Sequence, residues 1–474
     1  MPIQFYRMKK CCCWILFYLP FYLFSQTVND RLAKAINLLE ADIQFKHAAI
    51  GMYVVETKTA KIIFEKNAEM GLVLASCQKL ITSAAAFGLL GNNYRFKTEL
   101  GYDGTIADGI LNGNLFIRGY GDPTLGSWRW PDTKAQVIMK NSTDAVLLKG
   151  IKKINGNIAS FTGNWESNST PGGWVWEDIG NYYGAGASAI NWRENQYDLM
   201  LKAGNAIGDA VSITGMKPIL KDVELSSELT TAAKGSGDNA YIYLAPNSTH
   251  GLVSGTIPVG ENNFVIAGAM PAPDKQLINE LADALNEKNI SLVSNQQGSI
   301  SSLKTFLPDD SKILLHIQSP PLDSINYWFL KKSINLYGEA FVKAIAFEKD
   351  KFGSLEKGIE LIKDFCSKNG IEKSAIHILD GSGLSPANRV TTKALVTVLQ
   401  YAKQQSWFAS FYNALPQMNG IKMKDGYIGG VRSYTGFIQS KNGATYSFSF
   451  IINNFDGSAA TVREKMWKVL DVLK

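Results

Sequence analysis

The sequence predicts an α/β (α+β) protein in which an antiparallel sheet flanked by helices is interrupted by a large β-rich inserted region. Three observations support this. The 474 residues, 46% hydrophobic and 19% charged, suffice for more than one core and lie near globular averages. Apolar residues recur at helical and strand spacing near both ends of the chain. From about Arg95 to Gln297 the texture changes to many glycines, short alternating runs such as Leu115-Phe116-Ile117-Arg118-Gly119, and six of the ten tryptophans. No internal repeat, low-complexity segment or proline-rich linker interrupts the pattern.

In chain order, residues 1–25 read as a secretory signal peptide. Arg7, Lys9 and Lys10 precede an apolar run from Cys11 to about Phe24, and a small residue, Ser25, follows. The run is shorter than the roughly 20 apolar residues of a spanning helix and Pro20 interrupts it, which favours cleavage near Ser25 over an anchor. Cys11, Cys12 and Cys13 open the run, whereas a lipidated cysteine would close it.

Residues 26–95 are expected to form the first part of the α/β domain. Asn29 or Asp30 can cap a helix carrying Leu32, Ile36 and Leu39 on one face. A strand pair follows over 48–57 and 61–67, turning at Lys58 and Thr59. The Ala- and Leu-rich stretch 74–91 favours helix up to the stop at Gly91 and Asn92. Residues 96–297 are the inserted region. Its tryptophans, Trp128, Trp130, Trp165, Trp174, Trp176 and Trp192, are expected in the core rather than stacked on sugars. In the second part of the domain, 298–474, helical patterns return at 322–333, 335–347 and 390–405. A hairpin around Asn442-Gly443 and a last helix from about Ala459 end the chain.

Charge and composition exclude several functions. The excess of 48 Lys+Arg over 42 Asp+Glu includes three cations in the first ten residues. With no basic run elsewhere and no zinc-knuckle spacing, nucleic acid is not an expected partner. The four histidines show no metal-ligand spacing, so no metal is expected. Gly119-Tyr120-Gly121-Asp122-Pro123 puts a proline where a phosphate loop needs a free N–H, and no cofactor is expected. Beyond the signal only Cys77 and Cys366 remain, too few for a disulfide framework. Cys77 is expected to be a small buried residue.

Three short motifs can do chemistry. Ser76 and Lys79 are three residues apart at the start of an apolar helix, so the amine can take the hydroxyl proton if burial keeps it neutral. The spacing alone is weak, since Ser301/Lys304 and Ser354/Lys357 match it too. Ser333-Ile334-Asn335 lies between two helical segments, and Lys424-Asp425-Gly426 precedes the C-terminal hairpin. In chain order these approach the Ser-x-x-Lys, Ser-x-Asn and Lys-Thr-Gly set of penicillin-binding proteins and class A β-lactamases.

With LASCQKLITSAAA, FIRGYGDPTLG, KKSINLYGEA, LDGSGLSPANRV and FYNALP in this order, the chain resembles the low-molecular-mass class C penicillin-binding proteins. Within that group it is similar to the D-alanyl-D-alanine carboxypeptidase/endopeptidases of the penicillin-binding protein 4 type. The resemblance implies a serine β-lactamase/DD-peptidase-like domain, a periplasmic location that allows peripheral contact with the membrane, peptidoglycan peptides as substrates and β-lactams as covalent inhibitors. It makes Ser76 the acylated nucleophile, Lys79 its base and Ser333 a relay to the leaving amine. Asn335 would bind the substrate backbone and Lys424 its terminal carboxylate, with Gly426 between Lys424 and Tyr427. The N–H groups of Ser76 and Tyr427 would form the oxyanion hole. Asp380, Ser382 and Ser385 would support the site, and Tyr337 and Glu339 would be structural.

The sequence departs from the family pattern at Leu74 and Cys77 of LASCQK, in the shortened stretch between FYNALP and Lys424, and at Asp425. Asp425 stands where a Thr or Ser would donate a hydrogen bond to the substrate carboxylate, and an ionised Asp repels it. The alternatives are that Asp425 turns away, pairs with a cation or is protonated. The function expected is an exported serine D-Ala-D-Ala carboxypeptidase/endopeptidase. The competing readings are a catalytically weakened homologue with a binding or structural role in the wall, and a β-lactamase-like esterase.

Overall fold

The computed structural model describes residue 1 and residues 26–293 and 311–474. The signal-peptide reading, the Ser301/Lys304 match and the boundary at 297/298 lie outside the described residues.

The two ends of the chain build one antiparallel sheet. Its strand order is Gln417–Met418, Ile421–Ile428, Val431–Gln439, Thr445–Asn453, Ala49–Glu56, Ile62–Lys66. Ala49 pairs with Asn453 and Glu56 with Tyr446, so an N-terminal strand lies against a C-terminal one along its whole length. The strands are apolar on both faces because both are covered. Ile452 and Phe450 pack with Leu32, Ile36, Val462 and Met466 of the helices Val28–Glu40 and Ala459–Leu470. Ile451 faces the larger core formed by the helices Lys79–Leu90, Leu322–Lys332, Asn335–Asp350 and Thr392–Lys403. This alternation follows from the two-residue period of a strand.

Local signals differ from expectation in two places. The first helix is capped by Thr27, two residues before Asn29 and three before Asp30, with Asp30 completing a reciprocal capping box. The stretch 74–91 does not open as an α-helix. Ala75–Gln78 is a single 3-10 turn that feeds the α-helix Lys79–Leu90. A 3-10 turn eclipses residues three apart, which places Lys79 under Ser76.

Between these halves, small sheets enclose a second core that includes Leu100, Ile117, Ile154, Trp192, Leu199, Ile242 and Val253. The region is not all β: the helices Ala135–Leu148 and Pro273–Glu287 pack into the same core. The strand Lys312–Gln318 pairs with Lys97–Tyr102 and so belongs to this region's sheet. The tryptophans divide. Trp165, Trp174 and Trp192 are buried, and Trp130 is half-buried and donates to Ser324, whereas Trp128 and Trp176 are exposed. Cys77 and Cys366 are buried free thiols.

Candidate active site

The turn that carries Ser76 is held in an unusual backbone shape. Ala75 has φ +46, a left-handed conformation that costs a non-glycine residue about 1–3 kcal/mol and persists only where surroundings enforce it. Two glycines enforce it by allowing close approach. A Cβ on Gly383 would collide with the Ala75 carbonyl, and one on Gly426 would collide with the Leu74 carbonyl and Ser433 Oγ and lie 3.0 Å from the Ser76 amide. Gly426 therefore lets the strand Ile421–Ile428 run directly beside the Ser76 N–H.

Lys79 is fully buried beneath Ser76. Its Nζ donates to Ser76 Oγ at 2.9 Å, to Asn335 Oδ1 at 2.7 Å and to the Ser382 carbonyl at 2.7 Å. Burial, and then the positive charge of Lys424, bring its pKa down to about 7, against a partial offset from Asp380, Glu339 and Asp425. A lysine in this state is half neutral near pH 7 and can accept a proton.

Asn335 is the first residue of its helix, and its Nδ2 donates to the Tyr183 carbonyl at 2.7 Å, which ties the second motif to the inserted region. Ser333 ends the preceding helix in a left-handed conformation, φ 58. Ser76, Ser333, Asn335 and Tyr427 line one cleft of about 1050 Å³. Its far wall comes from the insert, with Glu177, Asp178, Tyr182, Tyr183 and Tyr241. Burial and the neighbouring Glu177 push the Asp178 carboxyl up to about 6. This acidic wall, like Arg129 on the cleft's edge, carries no signal in the sequence motifs. Arg129 is fixed by Glu194 Oε1 and Oε2 at 2.8 and 3.1 Å, and Tyr337 Oη donates to the same carboxylate at 2.7 Å.

The third motif is a charged cluster. Lys424, 1% exposed, donates to the Asp425 carbonyl at 2.7 Å and to its Oδ1 at 3.2 Å. Arg432 on the neighbouring strand approaches Asp425 Oδ2 at 3.8 Å and donates to Tyr434 Oη at 3.0 Å. Burial pushes the Asp425 carboxyl up, but Lys424 and Arg432 outweigh it and hold the group below its ordinary value. Of the alternatives for Asp425, the structure shows pairing with the cations Lys424 and Arg432. Arg432 was missed by motif reading. The Gly429-Gly430 dipeptide marks a two-residue hairpin turn, and that register sets Arg432 opposite Tyr427.

Behind the site, Asp380 is a hub. Its Oδ1 accepts from the Gly383 amide at 2.7 Å and Asn388 Nδ2 at 2.9 Å, and its Oδ2 from the Ser385 amide at 2.7 Å and Trp174 Nε1 at 2.9 Å. These bonds shape the loop that presents the Ser382 carbonyl to Lys79. Both oxygens of Glu339 receive the Gly381 amide, and burial next to Asp380 pushes this carboxyl up to about 8. Cys77 donates to the Lys424 carbonyl at 3.3 Å, and burial raises its thiol pKa, as suits a packing residue. Among the described residues no group of three metal-ligating side chains occurs, and no helix is long and apolar enough to cross a membrane.

The antiparallel sheet, its helical cover and the serine over a buried lysine define a serine-peptidase class of hydrolase. The D-Ala-D-Ala carboxypeptidase 3 (S13) family matches residues 32–420, and the chain belongs to that family. It is 26% identical to D-alanyl-D-alanine carboxypeptidase DacB of Haemophilus influenzae, with 91% of each chain covered. It is 25% identical to a D-alanyl-D-alanine carboxypeptidase of Actinomadura sp. (strain R39), covering 90% of this chain and 82% of that one. The crystal structure of penicillin binding protein 4 (dacB) from Haemophilus influenzae superposes with a TM-score of 0.75 at 21% identity, over 94% of this chain and 99% of that one. The same protein complexed with a β-lactam superposes with a TM-score of 0.71.

Proposed function

We propose that this protein is an exported D-alanyl-D-alanine carboxypeptidase and endopeptidase that cleaves peptidoglycan stem ends and D-Ala-linked cross-links through an acyl-enzyme at Ser76. The observation that carries the reading is the Lys79 Nζ to Ser76 Oγ hydrogen bond of 2.9 Å, made by an amine whose pKa is near 7. Neutral Lys79 takes the Ser76 proton as Oγ attacks the penultimate D-Ala carbonyl. The N–H groups of Ser76 and Tyr427 stabilise the oxyanion. Collapse breaks the C–N bond, and Lys79 returns the proton through Ser333 to the leaving amine. Water then attacks the ester with Lys79 again as base. Asn335 orients the substrate backbone, and Lys424 attracts its terminal carboxylate.

The acidic wall of Glu177 and Asp178 suits a cationic group on the stem-peptide side chain. The size of the cleft leaves room for a second peptide arm, as an endopeptidase needs. β-Lactams would acylate Ser76 by the same steps. Residues 1–25 would direct the chain to the periplasm, and 26–95 with 298–474 would form the DD-peptidase domain around the insert 96–297, except that the strand Lys312–Gln318 completes a sheet of the insert.

A second reading, a catalytically weakened homologue with a binding or structural role in the cell wall, is favoured by one observation. Asp425 occupies Lys424, the cation that would receive the substrate carboxylate. Intact-protein mass after incubation with penicillin separates the two. A one-equivalent adduct lost in Ser76→Ala supports the enzyme, and no adduct at high penicillin supports the weakened homologue.

A further inference from the structure

The insert carries an exposed tryptophan packed on a half-buried tyrosine beside the cleft. In the strand Asn239–Tyr243, Ala240 and Ile242 point into the second core, so Tyr241 and Tyr243 share the outward face. Trp176, 52% exposed, lies against Tyr243 with ring centroids 6.0 Å apart and planes at 41°. With Leu252, Ser254 and His250 of the next strand they form a shallow groove of about 580 Å³.

Two connections place this groove next to the cleft. Trp176 immediately precedes Glu177 and Asp178, which line the cleft. Tyr241 lines it too, and Tyr241 is the cross-strand partner of Ser254 in the groove. A ligand leaving the cleft over Tyr241 therefore meets the Trp176–Tyr243 pair.

The charge of this face selects the ligand. The register sets Glu224 beside His250, Ser226 beside Leu252 and Glu228 beside Ser254, and the outward residues of these three strands include no Lys or Arg. Exposed Glu224 and Glu228 disfavour phosphates and other anions here. A neutral sugar fits: the C–H face of a pyranose stacks on an indole or phenol ring, and hydroxyl and carboxylate groups at the edge bond its polar rim.

We propose that the Trp176–Tyr243 groove binds the neutral, N-acetylated sugar chain to which the stem peptide is attached, so that glycan and peptide are held together. The identity of the sugar rests on the peptidoglycan reading above.

Titration of the purified protein with chitotetraose, followed by calorimetry, tests it. Saturable binding is expected, weakened about tenfold or more in Trp176→Ala and largely kept in Trp176→Phe. In hydrolysis assays Trp176→Ala should raise KM for a disaccharide-linked stem peptide about tenfold while leaving kcat, and the rate on the sugar-free peptide, unchanged. The proposal is overturned if chitotetraose fails to bind the wild type, if both substrates are weakened equally, or if a lysine-rich peptide binds the groove more tightly than the sugar. Should the protein hydrolyse neither peptide, the Ser76 reading fails, and the titration alone still decides the groove.

Discussion

Replacing Asp425 by Thr should accelerate acylation by substrates that carry a free carboxylate. In the structure the carboxylate lies 3.2 Å from Lys424 and 3.8 Å from Arg432. A substrate carboxylate bound to Lys424 would sit about 4 Å from this negative charge, a repulsion of about 1 to 4 kcal/mol between water-like and near-surface dielectric limits. The Asp425 side chain is about a third exposed and Arg432 shares its charge, so the lower half of that range applies. A gain of about 1–2 kcal/mol corresponds to roughly a 5- to 30-fold rise in the second-order acylation constant. Threonine also restores a hydroxyl donor to the carboxylate.

Stopped-flow acylation by a fluorescent penicillin gives that constant directly. A thioester substrate with its carboxylate amidated is the control, because charge repulsion cannot act on it. On the plateau at about pH 9, where Lys79 is neutral in both proteins, the predicted pattern is a gain for the anionic ligand and none for the neutral one. An equal change for both, or no change for the penicillin, would refute the electrostatic argument and leave Asp425 as a spectator. Raised salt should shrink the difference between wild type and variant, since screening weakens the same repulsion.

Two other predictions follow from the geometry. With Lys79 as the proposed base and burial bringing its pKa to about 7, acylation should rise with pH through a limb near 7 and level off above it. Stopped-flow profiles measure this, and a flat profile between pH 5 and 9 would remove Lys79 as the base. Gly426→Ala should lower acylation at least about 100-fold, because its Cβ would displace the strand from the Leu74 carbonyl and from the Ser76 amide of the proposed oxyanion hole. Acylation at wild-type rate in that variant would show that the strand does not define the hole.

The sequence exposes local chemistry far better than distant contacts. Ser76 and Lys79 can be paired from spacing, since a 3-10 turn and an α-helix both bring residues three apart to one side. The terminal hairpin is equally readable, because Asn442-Gly443 supplies the turn and alternation supplies the faces. Arg432 was readable in principle through Gly429-Gly430, but only after the register of the strand with Lys424 is fixed. The Trp174 donor to Asp380 was not readable, since it comes from 206 residues away and no local pattern announces the contact, whereas Gly383, Ser385 and Asn388 donate from Asp380's own segment. The left-handed run Arg193, Glu194 and Asn195, with φ 54, 54 and 52, is hidden for the same reason. It is enforced by long-range bonds from Glu194 to Arg129 and Tyr337. Nor can composition tell which tryptophan stays exposed, because burial depends on what packs above each one.

The charges of the third motif and of Lys79 act on each other. Lys424 lowers the pKa of Lys79, and Asp425 partly cancels this by raising it. Removing Asp425 therefore leaves the Lys424 field uncompensated and makes neutral Lys79 more abundant near neutral pH. The Asp425→Thr variant should then show two separable effects: a higher plateau with carboxylate ligands, from lost repulsion, and an ascending limb moved to lower pH with every ligand, from the altered field. The neutral thioester isolates the second effect, since its plateau is unaffected by repulsion. A limb that moves for the penicillin but stays fixed for the thioester would mean that the shift belongs to ligand binding and not to Lys79. A limb that moves to higher pH would contradict the sign of the coupling and place the titrating group elsewhere.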